Sequence, residues 1–158
     1  MSAKPRLPTF LAAVVVAAAA AFGSHFEGRR LSSYQDVAGI WSICDGHTAG
    51  VKQGDQATDS QCDAWLKEEM GGALDTVQRC IRVPLTMGQL VAFTDATYNL
   101  GASVVCGSTL QRLANAGDLV GACHQLPRWV HAGGRPEPVP GLVARRDREM
   151  KLCLGEPL

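Results

Sequence analysis

The chain has 158 residues, is 46% hydrophobic, and balances 15 Lys and Arg against 15 Asp and Glu for a formal net charge of zero. Less its apolar N-terminal stretch, that length holds one packed domain with a two-lobed cleft and leaves little room for a separate binding module. Zero net charge makes electrostatic steering to a polyanion weak overall. No nucleic-acid partner is expected, and the chain is expected to be a monomer.

The first element is the run from Leu7 to Phe22, Leu-Pro-Thr-Phe-Leu followed by AAVVVAAAAAF. Lys4 and Arg6 precede it, which predicts a cytoplasmic N-terminus. The run is short of the ~20 residues of a comfortable membrane span. It is mostly Ala, which buries little apolar area per residue. Three fates compete. It is a signal peptide cut near the small residues Ala18-Ala19-Ala20, a permanent anchor, or a segment that directs export and then leaves the bilayer. Weak hydrophobicity and the lack of a polar spacer after it favour the third. Residues 1–23 are therefore set apart from a domain spanning 24–158.

Glu27, Asp36 and Ser42 follow at once. Cutting a glycosidic bond needs a carboxylic acid to protonate the leaving oxygen. A second carboxylate must position water or stabilise positive charge on the sugar. The acid belongs under an apolar cover and its partner in a more solvated place. Glu27, preceded by Phe26, is expected at the end of a helix. Asp36 lies in Tyr34-Gln35-Asp36-Val37-Ala38-Gly39, which reads as a turn between strands. Ile40, Ser42 and Cys44 alternate with Trp41 and Ile43 as in a short strand, from which the Ser42 hydroxyl could hold a water. The plain alternative is that Glu27 and Asp36 are ordinary surface charges.

Helices are expected over the rest. Cys62, Trp65, Leu66, Met70, Leu74, Val77 and Cys80 recur at helical spacing over 59–81, with a break or bend at Gly71-Gly72. Thr86 caps a helix running to Gly101. Shorter helices are expected at 109–116 and 118–125. A proline-rich loop at 135–140 precedes a last helix over 142–153. Trp65 and Trp129 read as core. The chain has 6 cysteines, an even number that suits disulfides in an exported chain. Cys123 with Cys153, Cys44 with Cys62, and Cys80 with Cys106 are the expected pairs. No CxxC pair exists, so no metal site and no cofactor is expected. Cys44 and His47 are too close along a strand and turn to make a peptidase dyad.

Glu27-Gly28-x-Arg30-Leu31, Tyr34-x-Asp36, Gly39-Ile40-Trp41-Ser42-Ile43 and Gly46-His47-Thr48 resemble the phage-type lysozymes, glycoside hydrolase family 24. Tyr98-Asn99-Leu100-Gly101, Ser108-Thr109-Leu110, Arg128-Trp129, Ala132-Gly133-Gly134, Gly141-Leu142 and Arg145-Arg146 continue the series in order. The resemblance implies an α+β fold: a mainly helical two-lobed domain with a small antiparallel sheet beside the cleft. It implies muramidase activity on peptidoglycan glycan strands, with Glu27 as general acid and Asp36 as second carboxylate. Ser42 stands where the family usually has Thr, keeping the hydroxyl. Cys44 and Asp45 stand where many members have other residues, so Asp45 is a decoy carboxylate. His47 and Asn99 are candidate substrate contacts. His47 is equally a residue that orders its turn, and Asn99 either meets a sugar N-acetyl group or caps its helix. Arg145 or Arg146 pairs with Glu27 or forms a structural ion pair.

Within the family the chain resembles the signal-anchor-release endolysins. That implies passage through the host export machinery, tethering to the inner membrane by residues 7–22, and release into the periplasm. None of the cysteines lies in the apolar segment, which argues against activation by a cysteine carried there. Tethering would pin Glu27 at the membrane surface, and a long flexible linker after Gly23 is then expected to give activity before release. A lytic transglycosylase using Glu27 alone and a non-catalytic wall-binding protein are the alternatives.

Overall fold

The computed structural model describes residues 5–158. Lys4, one of the two basic residues flanking the apolar run, lies outside them. The order is helix α1 (Thr9–Ser24), strands β1 (Arg30–Gln35) and β2 (Trp41–Cys44), then helices α2 (Asp59–Cys80), α3 (Met87–Leu100), α4 (Thr109–Asn115), α5 (Leu119–Cys123) and α6 (Pro140–Leu154). The two strands form an antiparallel hairpin that pairs Tyr34 with Ser42 and Gln35 with Trp41. The backbone of 55–57 lies along β1, through Ser33 N–H to the Asp55 carbonyl at 2.9 Å and Ala57 N–H to the Leu31 carbonyl at 2.8 Å. This is the expected mainly helical α+β architecture with a small sheet.

The helix starts follow from their capping residues. Thr58 and Thr86 each form a reciprocal capping box, with Gln61 and Gln89 respectively, which satisfies two otherwise unpaired N–H groups at each start. Asp118 accepts from Gly121 N–H at 2.8 Å to open α5. Helix α2 runs through Gly71-Gly72 without interruption, so of the expected break or bend the break does not occur. Glycine in a helix interior costs only about 1 kcal/mol, and the buried residues on either side, Met70, Ala73, Leu74 and Val77, hold the helix together.

The expected alternation along β2 also fails. Ser42, Ile43 and Cys44 are buried in succession. Cys44 takes φ 60°, so the pleat breaks there and its sulfur meets Cys62. All six cysteines pair: Cys44–Cys62 ties the hairpin to α2, Cys80–Cys106 ties the end of α2 to the turn after α3, and Cys123–Cys153 joins α5 to α6. Of the tryptophans, Trp129 packs at the edge of the main core and Trp65 beside the Cys44–Cys62 cluster.

The main core gathers Val77, Ile81, Phe93, Val104, Leu110 and Leu126 around α3. A second core is built by the apolar N-terminal run. Val15, Val16 and Ala19 of α1 are buried with Leu66, Met70 and Leu74 of α2 and Leu90 and Val91 of α3. Among the described residues no helix is long and apolar enough to cross a membrane. Helix α1 has 16 residues, which at 1.5 Å rise gives about 24 Å against a hydrocarbon core of about 30 Å. In this structure it fills the groove between α2 and α3.

Candidate active site

A cleft of about 510 Å³ separates the hairpin side from the helical side. Its walls come from Asp45, Gly46 and Thr48 after β2, from Glu69, Gly72, Ala73 and Thr76 of α2, and from Thr97, Tyr98 and Asn99 of α3, together with Glu27. The Tyr98 hydroxyl donates to the Asp45 carbonyl at 2.9 Å and so links α3 to the hairpin side. Burial and the nearby carboxylates of Glu69, Glu27 and Asp45 push the Tyr98 phenol well above its ordinary range.

Glu27 sits not on a helix but in the turn that leaves α1, where Phe26 N–H (2.9 Å) and Glu27 N–H (3.3 Å) both donate to the Gly23 carbonyl. Its cover is not purely apolar either. The Glu27 carboxylate accepts from Arg145 Nη1 of α6, and the Phe26 ring lies 5.3 Å from the same guanidinium. Arg145 is in turn held by Asp95 of α3, through Nε to Oδ2 at 2.9 Å and Nη2 to Oδ1 at 2.8 Å. Arg145 is 3% exposed and Asp95 0%. Burial alone would weaken the Arg145 charge, but its bonds to Asp95 and Glu27 outweigh that and keep the guanidinium firmly protonated.

Next to this pair, Arg146 donates from Nη2 to Asn99 Oδ1 at 2.9 Å and to Glu149 at 2.6 Å. Asn99 thus faces the cleft with its carbonyl oxygen already engaged, and the helix ends on Gly101. Burial, and then the neighbouring Asp95, raise the Glu149 carboxyl well above 4.5. A raised carboxyl contributes stability that is complete below the unfolded value and is lost as pH rises through the folded value. Glu149→Gln should therefore match the parent's melting temperature below about pH 4 and exceed it increasingly as pH rises toward neutrality. Thermal melts across that range check this; a difference that does not change with pH would contradict it.

The other expected site residues lie on the hairpin. Asp36 occupies the turn between β1 and β2, where its Oδ1 accepts from Ala38 N–H at 2.8 Å and Ile40 N–H at 2.9 Å. Ser42 is buried, and its hydroxyl donates to the Ile40 carbonyl at 3.3 Å. Neither side chain lines the cleft's main volume, whereas Glu27 and Asn99 do. His47 backs the hairpin side: its ring stacks on Trp65 at 4.3 Å and its Nδ1 meets Glu69 at 2.5 Å. Asp45 is clamped by Arg29, with Nη2 at 2.8 Å and Nε at 3.1 Å from Oδ2. Arg29 also reaches Asp59 and Asp63 of α2. The Asp45 bond, the largest influence on Arg29, holds that guanidinium protonated.

The sequence singled out neither Asp95, Glu69 nor Arg29. Asp95 had a readable signal, since a carboxylate stands among Phe93, Thr94, Ala96 and Thr97, all buried in α3. A charge on the fully buried part of a helix is expected to have a partner.

The family model described as Phage lysozyme matches residues 24–149. The chain belongs to the phage lysozyme family. A relative named SAR-endolysin, from Pseudomonas phage phiKMV, is 36% identical over 146 residues, covering 91% of each chain. Among solved structures, this lysozyme superposes with a TM-score of 0.80 and 29% identity on the endolysin from Escherichia coli O157:H7 phage FAHEc1, covering 89% of this chain and 94% of that one. The muramidase domain of SpmX from Asticaccaulis excentricus gives a TM-score of 0.79 at 27% identity, covering 87% of this chain and 95% of that one. The glycoside-hydrolase reading of the cleft and the membership of the family agree.

Proposed function

We propose that this lysozyme is a phage endolysin that hydrolyses the β-1,4 bond between N-acetylmuramic acid and N-acetylglucosamine in host peptidoglycan, with Glu27 as general acid. The observation that carries the assignment is the place of Glu27: in the wall of the cleft, with its carboxylate fixed against Arg145. Glu27 protonates the departing glycosidic oxygen. Asp36, whose Oδ2 takes no part in its turn bonds, is the second carboxylate, and Ser42 orients the water with the lone pairs its hydroxyl keeps free. As the glycosidic C–O bond breaks, water adds at the anomeric carbon with inversion and gives its proton to the Asp36 carboxylate. Asn99 offers its amide N–H to a sugar N-acetyl group, and His47 braces the wall through Glu69.

The chain reaches the periplasm through the host export machinery, is held at the inner membrane by residues 7–22, and is released when the membrane potential collapses. A segment that lies in lipid cannot also fill the groove between α2 and α3. The tethered enzyme therefore lacks one wall of its second core. In energised cells the chain should sediment with the inner membrane and leave murein intact, and an ionophore should move it to the soluble periplasm and start lysis. Pinning alone predicts activity from a tethered chain with a long linker after Gly23; the packing of α1 in the second core replaces that expectation, and the linker variant should stay silent because the missing helix, and not reach alone, holds it back. Lysis by the tethered linker variant would mean that pinning at the membrane surface is the whole restraint.

A further inference from the structure

We infer that Asp95 is a positioning residue for Glu27, acting through Arg145, and that Gly23 is the contact through which α1 completes this arrangement. With Glu27 as the acid, on which this rests, the task is to aim a carboxyl held by a turn at a bond in the cleft.

The guanidinium of Arg145 is planar, and its donors form a rigid fork. Asp95 grips one edge of that fork, Nε and Nη2, with both carboxylate oxygens. Fixing two nitrogens of the plane fixes the direction of the third, and Nη1 points at Glu27. Asp95 is fully buried in α3, and a buried carboxylate is costly unless paired.

The last turn of α1 lies on this pair. Gly23 is buried, and a Cβ placed there would come within 2.6 Å of Asp95 Oδ1, 2.9 Å of Met70 Cε and 3.5 Å of Arg145 Nη2. Only glycine lets the helix approach that closely. The same residue's carbonyl accepts from the N–H groups of Phe26 and Glu27. A closed circuit results: Gly23 holds the Glu27 backbone, Glu27 meets Arg145, Arg145 is gripped by Asp95, and Asp95 touches Gly23. The circuit exists only when α1 is docked.

The test uses the full chain carrying Asp95→Asn, Gly23→Ala or both, with Glu27→Gln in parallel, assayed on murein with kcat and KM separated. Misplacing a catalytic group slightly can cost on the order of a hundredfold. Each single variant should lose more than about tenfold in kcat with KM within about twofold. The double variant should lose no more than the worse single one, because both open the same circuit. Alanine strengthens an isolated helix relative to glycine, so a slow Gly23→Ala enzyme with an undiminished melting temperature cannot reflect a weaker α1. If Asp95→Asn does not fold, Gly23→Ala decides. Parental kcat in a folded single variant, or losses that multiply in the double variant, overturns the inference. Full turnover by Glu27→Gln would instead remove the acid assignment, whatever Asp95 does.

Discussion

Replacing Glu27 by Gln should lower the rate of murein hydrolysis by about a thousandfold, within the 10²–10⁴ typical of a general acid. The amide has the same shape and its oxygen can still accept from Arg145 Nη1, so the ion-pair circuit loses a charge but keeps its geometry. What disappears is the proton delivered to the leaving oxygen. The loss should therefore fall on kcat, with KM and melting temperature close to those of the parent. Turbidity loss of murein suspensions, with a thermal melt of each protein, measures both. A variant that keeps more than about a tenth of the parent's turnover is incompatible with Glu27 as the acid.

The second large effect concerns α1. Val15 is fully buried in the second core, against side chains of α2 and α3. Val15→Asp would put an unpaired charge there, the kind of change that costs about 4 kcal/mol or more. For a domain of this size that lowers the melting temperature by roughly 10 °C. Val14, on the same helix but 38% exposed, should tolerate Asp within about 1 kcal/mol. Melting both variants as released, soluble protein separates a docked core helix from a loosely attached leader. Equal melting temperatures for the two would contradict the packing of α1. The same contacts predict that a chain cut before Gly23 is a poor reference enzyme, since it leaves Leu66, Met70, Leu74, Leu90 and Val91 uncovered.

These two effects also mark what was legible in the sequence. The helices of the scaffold were readable because Thr58, Thr86 and Asp118 cap them through short-range hydrogen bonds, and the periodic apolar residues define one buried face. The turn carrying Asp36 was readable for the same local reason. Gly71-Gly72 misled, because local propensity is a weak signal against the packing of a helix buried on both sides of it. The surroundings of Glu27 were only half legible. Arg145 was one of two candidates for its partner. The choice between Arg145 and Arg146 depends on how α6 is rotated against α3, where Arg145 meets Asp95 and Arg146 meets Asn99. Nothing local to Glu27 encodes it. The apolar run was ambiguous for a deeper reason. Weak hydrophobicity suits a segment with two environments, lipid and protein core, and composition alone does not say which one it occupies in the folded enzyme.

The most direct test of the central claim is the chemistry of the ends it makes. The full-length released chain is incubated with purified Gram-negative murein in ¹⁸O-labelled water, beside Glu27→Gln, and the fragments are weighed by mass spectrometry. A hydrolase in which Glu27 protonates the leaving oxygen and water attacks the anomeric carbon yields reducing N-acetylmuramic acid ends that carry the label, and none in the variant. Anhydro ends without label would mean a transglycosylase, and intact glycan with cut stem peptides would contradict a glycosidase altogether.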